Sequence, residues 1–195
     1  MKNNNSTCIS PDNSVMERNG RIFSINISKE KGGKKFPVAE TSVTRFGLEE
    51  DGHSGDWHRQ VSLLSYESIK DVIKKGIDAK PGDFAENITT KGIKLQNLKI
   101  GDLIIIENNP ADKKEMQKNN FNEYNKNDNE NVILRVTQIG KECKTPCSIY
   151  YQLGSCIMPS EGIFCKVIKT GRIKVGDNIY IKDSDMGDKI YGESI

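Results

Sequence analysis

Short apolar strands, one clear helix and a repeated Gly-Asp turn predict a mainly β fold: a closed β-barrel with one or two peripheral helices. Apolar or alternating runs mark strands at residues 21–28, 60–64, 102–107, 132–139, 163–168 and 178–182. Ile69, Val72 and Ile73 recur at helical spacing within residues 65–75, behind Ser65 as a cap and ahead of Gly76 as a stop. Many strands with so little helix favour a barrel over a parallel α/β sheet.

Residues 1–18 are rich in Asn and Ser without periodicity and predict a flexible N-terminal tail. The core begins near Gly20, where Ile22, Phe23, Ile25 and Ile27 read as the first strand. Lys31-Gly32-Gly33-Lys34-Lys35 after it reads as a turn whose cations can also hold a phosphate. Residues 99–107 and 174–182 share one design, a Gly-Asp turn feeding a strand. Asp102 and Asp177 are therefore read as turn residues, since a Gly-Asp pair there satisfies local geometry, rather than as a catalytic pair. The Asn- and Lys-rich stretch at about 108–131 lacks large apolar residues and predicts a mobile insertion between two barrel strands. With 195 residues, one core over residues 19–185 is the expected domain organisation.

The chain carries 29 basic and 27 acidic residues for a net charge of +2, so its overall electrostatics call for neither nucleic acid nor a membrane surface as main partner. No apolar run is long enough to cross a bilayer and the start lacks the apolar core of a signal peptide, which makes the cytoplasm the expected compartment. Thiols stay reduced there. Five cysteines, an odd number, argue against a disulfide framework and leave metal binding, sulfur transfer or plain burial.

Two stretches carry chemistry. Cys143, Cys147, Cys156 and Cys165 crowd into one segment, and Pro146 immediately before Cys147 fixes the backbone so that this sulfur can be presented from a shaped loop. Residues 47–64 hold both histidines and the only tryptophan, with Asp51, His53, Asp56 and His58 alternating with glycines that let the backbone bend around a ligand. The His53 to His58 spacing and the lack of a C-x-x-C pair give no tetrahedral set, so no structural zinc is expected. Arg59 offers a planar fork that matches phosphate oxygens; the alternative is a surface ion pair with Asp56.

Taken together, the segments 53–64, 81–93 (with Gly82-Asp83-Phe84-Ala85-Glu86-Asn87-Ile88-Thr89-Thr90), 98–102, 143–164 and 175–177 resemble a MOSC domain, in order and spacing over roughly residues 20–183. That module is named after the C-terminal part of molybdenum cofactor sulfurases, and the chain resembles its stand-alone bacterial type. The resemblance implies a strongly bent barrel of pyruvate-kinase-barrel type and a pocket for a pterin phosphate. It also implies a cysteine that ligates molybdenum or carries sulfur as a persulfide, with no need of pyridoxal phosphate. By position that cysteine is Cys147, which the resemblance makes both the catalytic residue and the metal ligand; it leaves the roles of Cys143, Cys156 and Cys165 open.

Asp51, His53 and Gly55 match the family's Gly-Asp-x-His-x-Gly pattern, with Glu50 where glycine is usual, and Glu86 and Asn87 match its Glu-Asn pair, which orients a loop or contacts the pterin. Cys147, Arg59, His53, Asp51, Glu86 and Asn87 are thus the expected residues for binding the molybdenum cofactor (molybdopterin), with Lys141 and Lys144 as local cations that favour a thiolate. The implied function is a cofactor-binding or sulfur-carrier module that works with molybdenum cofactor biosynthesis proteins or acceptor molybdoenzymes. The alternative is a molybdenum-dependent reductase of N-hydroxylated compounds, a class that commonly carries an extra N-terminal barrel or electron-donor domain.

Because the 108–131 stretch lengthens a loop without adding core, its deletion is expected to cost no more than about 1 kcal/mol of stability, measured by urea denaturation of the shortened chain.

Overall fold

The computed structural model describes residues 18–31, 34–107, 131–142 and 148–184. In these the chain runs through β1 (Asn19–Ile27), β2 (Phe36–Val38), β3 (Glu40–Thr44), β4 (Gly47–Leu48) and β5 (Val61–Ser65). It continues through α1 (Tyr66–Lys74), β6 (Ile88–Lys91), β7 (Leu103–Glu107) and β8 (Val132–Ile139), then α2 (Ser148–Leu153), α3 (Met158–Glu161), β9 (Ile163–Lys169), β10 (Gly171–Lys174) and β11 (Asn178–Lys182). All but one residue each of the expected tail and insertion, Arg18 and Asn131, lie outside the described residues.

Seven strands close into a ring in the order β1-β11-β7-β8-β9-β5-β6, with β2 attached to the edge of β1 beyond the closure. Asn19, Gly20 and Arg21 of β1 pair with β11, while Arg21 to Ile25 pair with β6. Only β5 and β6 of the ring pair in parallel, because α1 lies between them and carries the chain back across the barrel. Register shifts between Ile22 and Ser24 in β1, and at two places between β8 and β9, bend the wall. The first leaves Phe23 outside the ring, stacked on Tyr66 of α1 at 4.0 Å between centroids. A small sheet of β10, β3 and β4 lies apart from the ring in its pairing.

Alternation along the strands sorts side chains to two sides. Inward-facing Ile22, Leu63, Ile88, Ile104, Leu134, Cys165 and Ile179 belong to the barrel core. Each Ile or Leu so buried contributes about 1.5–3 kcal/mol. Outward-facing Leu64 and Phe164 pack instead with Ile69 and Val72 of α1, Phe84, Ile149 and Met158 in a second cluster. Ser65 caps α1 by accepting a hydrogen bond from Ser68 N at 3.1 Å, and Gly76 follows the helix at φ +87°. Ile73, expected on the apolar face of α1, is 41% exposed, and Ser68, Ile69 and Val72 are the residues of α1 that are buried.

The two expected Gly-Asp corners are present, and among the described residues a third joins them. In Lys80-Pro81-Gly82-Asp83, Lys99-Ile100-Gly101-Asp102 and Lys174-Val175-Gly176-Asp177 the aspartate N donates to the lysine carbonyl, and the aspartate carboxylate accepts from the lysine N. The glycines hold φ of +90°, +98° and +97°, the value a type II turn requires at that place. Glu50 also holds a left-handed φ, +59°, where a side chain is unfavourable. No described helix is long and apolar enough to cross a membrane.

Replacing the buried turn carboxylate in Asp177→Ala is expected to cost about 1–2 kcal/mol, read from urea midpoints, because it orphans the Lys174 N–H. In the opposite direction, Glu50→Gly is expected to gain about 0.5–1 kcal/mol by the same measurement.

Candidate functional site

Four chain segments meet at one buried carboxylate. Asp51 is fully enclosed; its Oδ2 accepts Lys35 Nζ at 2.5 Å and Asn87 Nδ2 at 2.6 Å. Its Oδ1 accepts Ser28 N at 3.3 Å and lies 3.8 Å from His53 Nδ1. Burial alone would raise the Asp51 carboxyl, but His53, Lys35 and Asn87 together outweigh it and hold Asp51 well below the usual carboxylate range. Burial also lowers the Lys35 ammonium, against the attraction of Asp51 and Glu86.

Asn87 joins this centre to the barrel. Its Oδ1 accepts from Ser62 N and Ser62 Oγ, and its backbone carbonyl accepts from Asn26 N, so β1 and β5 are stitched together beside Asp51. Glu86 is wholly buried, with Oε1 accepting Gly82 N at 2.7 Å and Thr89 Oγ1 at 2.8 Å. Burial pushes its carboxyl up despite those bonds. Gly82 is the only residue type this corner admits, since a Cβ there would sit 2.3 Å from the Lys35 carbonyl oxygen. Glu86 and Asn87 thus act from inside, by shaping the loops around Lys35 and Asp51.

Beyond Asp51 the chain folds into a small loop. Ser54 N donates to the Asp51 carbonyl at 2.9 Å, Gly55 N to the Phe46 carbonyl at 2.8 Å, and the Trp57 indole Nε1 to the His53 carbonyl at 3.0 Å. Buried Gln60 holds the far end: Nε2 donates to the carbonyls of Arg45 and Gly55, and Oε1 accepts Val167 N. Lys31, His53, Ser54, Gly55, Asp56 and Trp57 line a cleft of about 370 Å³ against this loop.

Arg59 lies outside the Asp51 centre. Its guanidinium stands 4.8 Å over Trp57 and 5.9 Å from Phe164, and the Lys141 ammonium stands 5.8 Å from the same Phe164 ring. Arg59 Nε is buried without a hydrogen-bond partner, and among the described residues neither Arg59 nor Lys141 pairs with a carboxylate, Asp56 included. His58 is exposed with Nε2 3.0 Å from Gln138 Oε1.

Cys143, Lys144 and Cys147 lie outside the described residues. The chain on either side of them is anchored. Gly140 N donates to the Gly162 carbonyl at 2.7 Å, in a contact so close that a Cβ on Gly140 would fall 2.1 Å from the Pro159 carbonyl oxygen. On the other side Ile149 is buried in the cluster that contains Phe164. Cys165 is a core residue whose thiol burial pushes up, and Cys156 is half-buried. Among the described residues no three His, Cys, Asp or Glu side chains come together as a metal site.

The structure therefore brings together Asp51, His53 and Asn87, joins Glu86 to them through Gly82 and Thr89, and sets Arg59 beside Trp57 and Phe164. Lys35 and Gln60 complete the arrangement; the sequence marked Lys35 only as one cation of a turn that could hold a phosphate, whereas it is buried against Asp51, and it did not mark Gln60. Lys35 sits among other lysines with nothing local to single it out, and Gln60 reads as the polar start of a strand.

Comparison with known families matches residues 50–180 to the family described as MOSC domain. No curated protein matches the chain. Among solved structures, the YuaD protein from Bacillus subtilis superposes with a TM-score of 0.62 at 17% identity, over 84% of this chain and 95% of that one. YiiM from Geobacillus stearothermophilus gives 0.53 at 19% identity, over 84% and 75%. YiiM from Escherichia coli gives 0.50 at 16%, over 90% and 79%. At these identities the likeness speaks to the fold.

A carboxylate whose folded value lies below its ordinary 3.8 contributes stability that is full above that pH and lost as pH falls beneath it. The acid limb of the stability curve is therefore expected to be shallower in Asp51→Asn than in the natural chain, measured by urea denaturation between about pH 2 and pH 7. Cys165→Ala is expected to cost about 1–2 kcal/mol at any pH in that range, as loss of packing in the barrel core.

Proposed function

Because the chain belongs to the MOSC domain family, named after the C-terminal domain of molybdenum cofactor sulfurases, we propose that it binds molybdenum cofactor and serves as a carrier of that cofactor or its sulfur. Cys147 is the residue on which the proposal centres. A thiolate is a soft ligand suited to molybdenum and a nucleophile toward sulfane sulfur, and both roles require the deprotonated form. As a sulfur carrier, the Cys147 thiolate attacks the outer sulfur of a donor persulfide; one S–S bond forms, one breaks, and the donor leaves as its own thiolate.

The observation that carries this reading is the meeting of Arg59 and Lys141 on the Phe164 ring, with no carboxylate among the described residues to balance them. Two cations drawn to one ring repel each other, and a bound anion relieves that repulsion. Arg59, with its buried and unpartnered Nε, offers a planar fork to phosphate oxygens. Trp57, on whose ring Arg59 also rests, lines the cleft beside His53 and gives a flat apolar wall against which a pterin can lie. These groups fit the phosphate and ring of molybdopterin, whose bound metal would supply the redox and sulfur-accepting chemistry. Lys141 and Arg59 also raise the positive potential around Phe164, and Lys141 lies two residues before Cys143, where the thiol-bearing segment begins.

Molybdenum, pterin and sulfane sulfur quantified on anaerobically isolated protein test the proposal. The natural chain is expected to retain cofactor or persulfide, and Cys147→Ala to lose it with an unfolding midpoint unchanged within about 0.5 kcal/mol. Equal retention by the variant removes the mechanism. Arg59→Ala is expected to weaken cofactor retention about tenfold or more without removing the thiol chemistry. Turnover of an amidoxime by the loaded protein with a chemical reductant would replace the carrier with a reductase.

A further inference from the structure

The Lys35–Asp51 pair is poorly explained by stability. Only 1% of the Lys35 side chain and none of the Asp51 side chain meets solvent. Desolvating both ions offsets most of their attraction, and apolar or neutral partners of similar volume commonly leave a fold as stable or more so. The pair also lies outside the barrel core, where apolar side chains already fill the ring. What it joins are loops. Lys35 N donates to the Gly82 carbonyl at 3.2 Å, and the Asp51 carboxylate gathers Ser28 N and Asn87 Nδ2. From Asp51 the chain runs directly into the His53–Trp57 loop, closed on itself by the Trp57 indole and the His53 carbonyl.

A neutral side chain at position 51 would still fill the space but would hold these groups more weakly, since bonds to an ionised acceptor are roughly twice as strong as neutral ones. The consequence falls on the cleft that His53, Ser54, Gly55, Asp56 and Trp57 line, the side of the site that needs a fixed shape before a ligand arrives.

We propose that the buried Lys35–Asp51 ion pair is a positioning device that holds the His53–Trp57 loop in its ligand-receiving shape, and that the barrel does not need it to fold. The ligand half of this proposal rests on reading the cleft as part of the cofactor site. The positioning half stands on the ligand-free protein.

Three variants separate the pair's roles: Lys35→Met, Asp51→Asn and the double variant Lys35→Met/Asp51→Asn. Thermal unfolding, hydrogen exchange at residues 52–57, acrylamide quenching of Trp57 (the only tryptophan) and anaerobic titration with molybdopterin are measured on each. Lys35→Met, which strands a buried carboxylate, is expected to lose the most thermal stability. The double variant is expected to return to within about 5 °C of the natural midpoint. Its 52–57 amides should nevertheless exchange about tenfold faster, its Trp57 quench more readily, and its affinity for molybdopterin fall about tenfold.

Where Lys35→Met does not fold, Asp51→Asn carries the same comparison, because a buried lysine can shed its proton. A double variant as unstable as Lys35→Met would show the pair to serve the fold, and unchanged exchange with natural affinity would show that it positions nothing. Failure of the natural chain to bind molybdopterin would defeat the reading of the cleft, and the exchange comparison would then decide the positioning role by itself.

Discussion

Strand β1 has to satisfy two neighbours on one edge, and the architecture depends on how it divides that edge. Its first residues take the last strand, β11, and close the ring; from Ile25 onward the same edge is taken by β2. A closed ring leaves no long run of unpaired backbone in the wall. The division also decides where the chain goes next. Ser28 follows β1 and Lys35 immediately precedes β2, and both bind Asp51, so the polar centre is attached to the point where the wall changes partners.

Around that centre the protein uses two kinds of charge, near enough for the Lys141 ammonium to oppose that of Lys35. Lys35 and Asp51 neutralise each other in the interior, and their surroundings fill with neutral amides and hydroxyls from Asn26, Asn87 and Thr89. Arg59 and Lys141, by contrast, rest on aromatic faces and have no described carboxylate against them. The internal pair fixes geometry, and the outer cations set potential. A side chain such as His53, between the buried carboxylate and the open cleft, belongs to both.

The elements that were legible in the sequence are those whose physics is local. β7 and β8 are apolar enough to declare themselves, and Ser65 and Gly76 bracket α1 by capping chemistry that needs no tertiary partner. β2, β3, β4, β6 and β10 were not expected, because they are short; Phe36, Pro37 and Val38 show no alternation, and β6 is four residues with one large apolar side chain. The third Gly-Asp corner passed unnoticed because no long apolar strand follows it at once, although Pro81 before its glycine is itself a type II turn signal. In the site, Asp51, His53 and Arg59 stood out by their type and spacing, and Glu86 and Asn87 only through the resemblance to the family. Lys35 did not, since its burial is decided by a carboxylate sixteen residues away and by the backbone of Gly82.

The ring is completed by strands from opposite ends of the chain, with Asn19 against Tyr180 about 160 residues apart. A nascent polypeptide emerging from a ribosome cannot seal the wall until β11 is synthesised, so the half-made protein carries the edge of β1 at Asn19 to Arg21 open through most of translation. Such distant pairing places the domain among the slower folders, on the millisecond-to-second scale, and makes the first strand the part of the newborn chain most in need of chaperone cover.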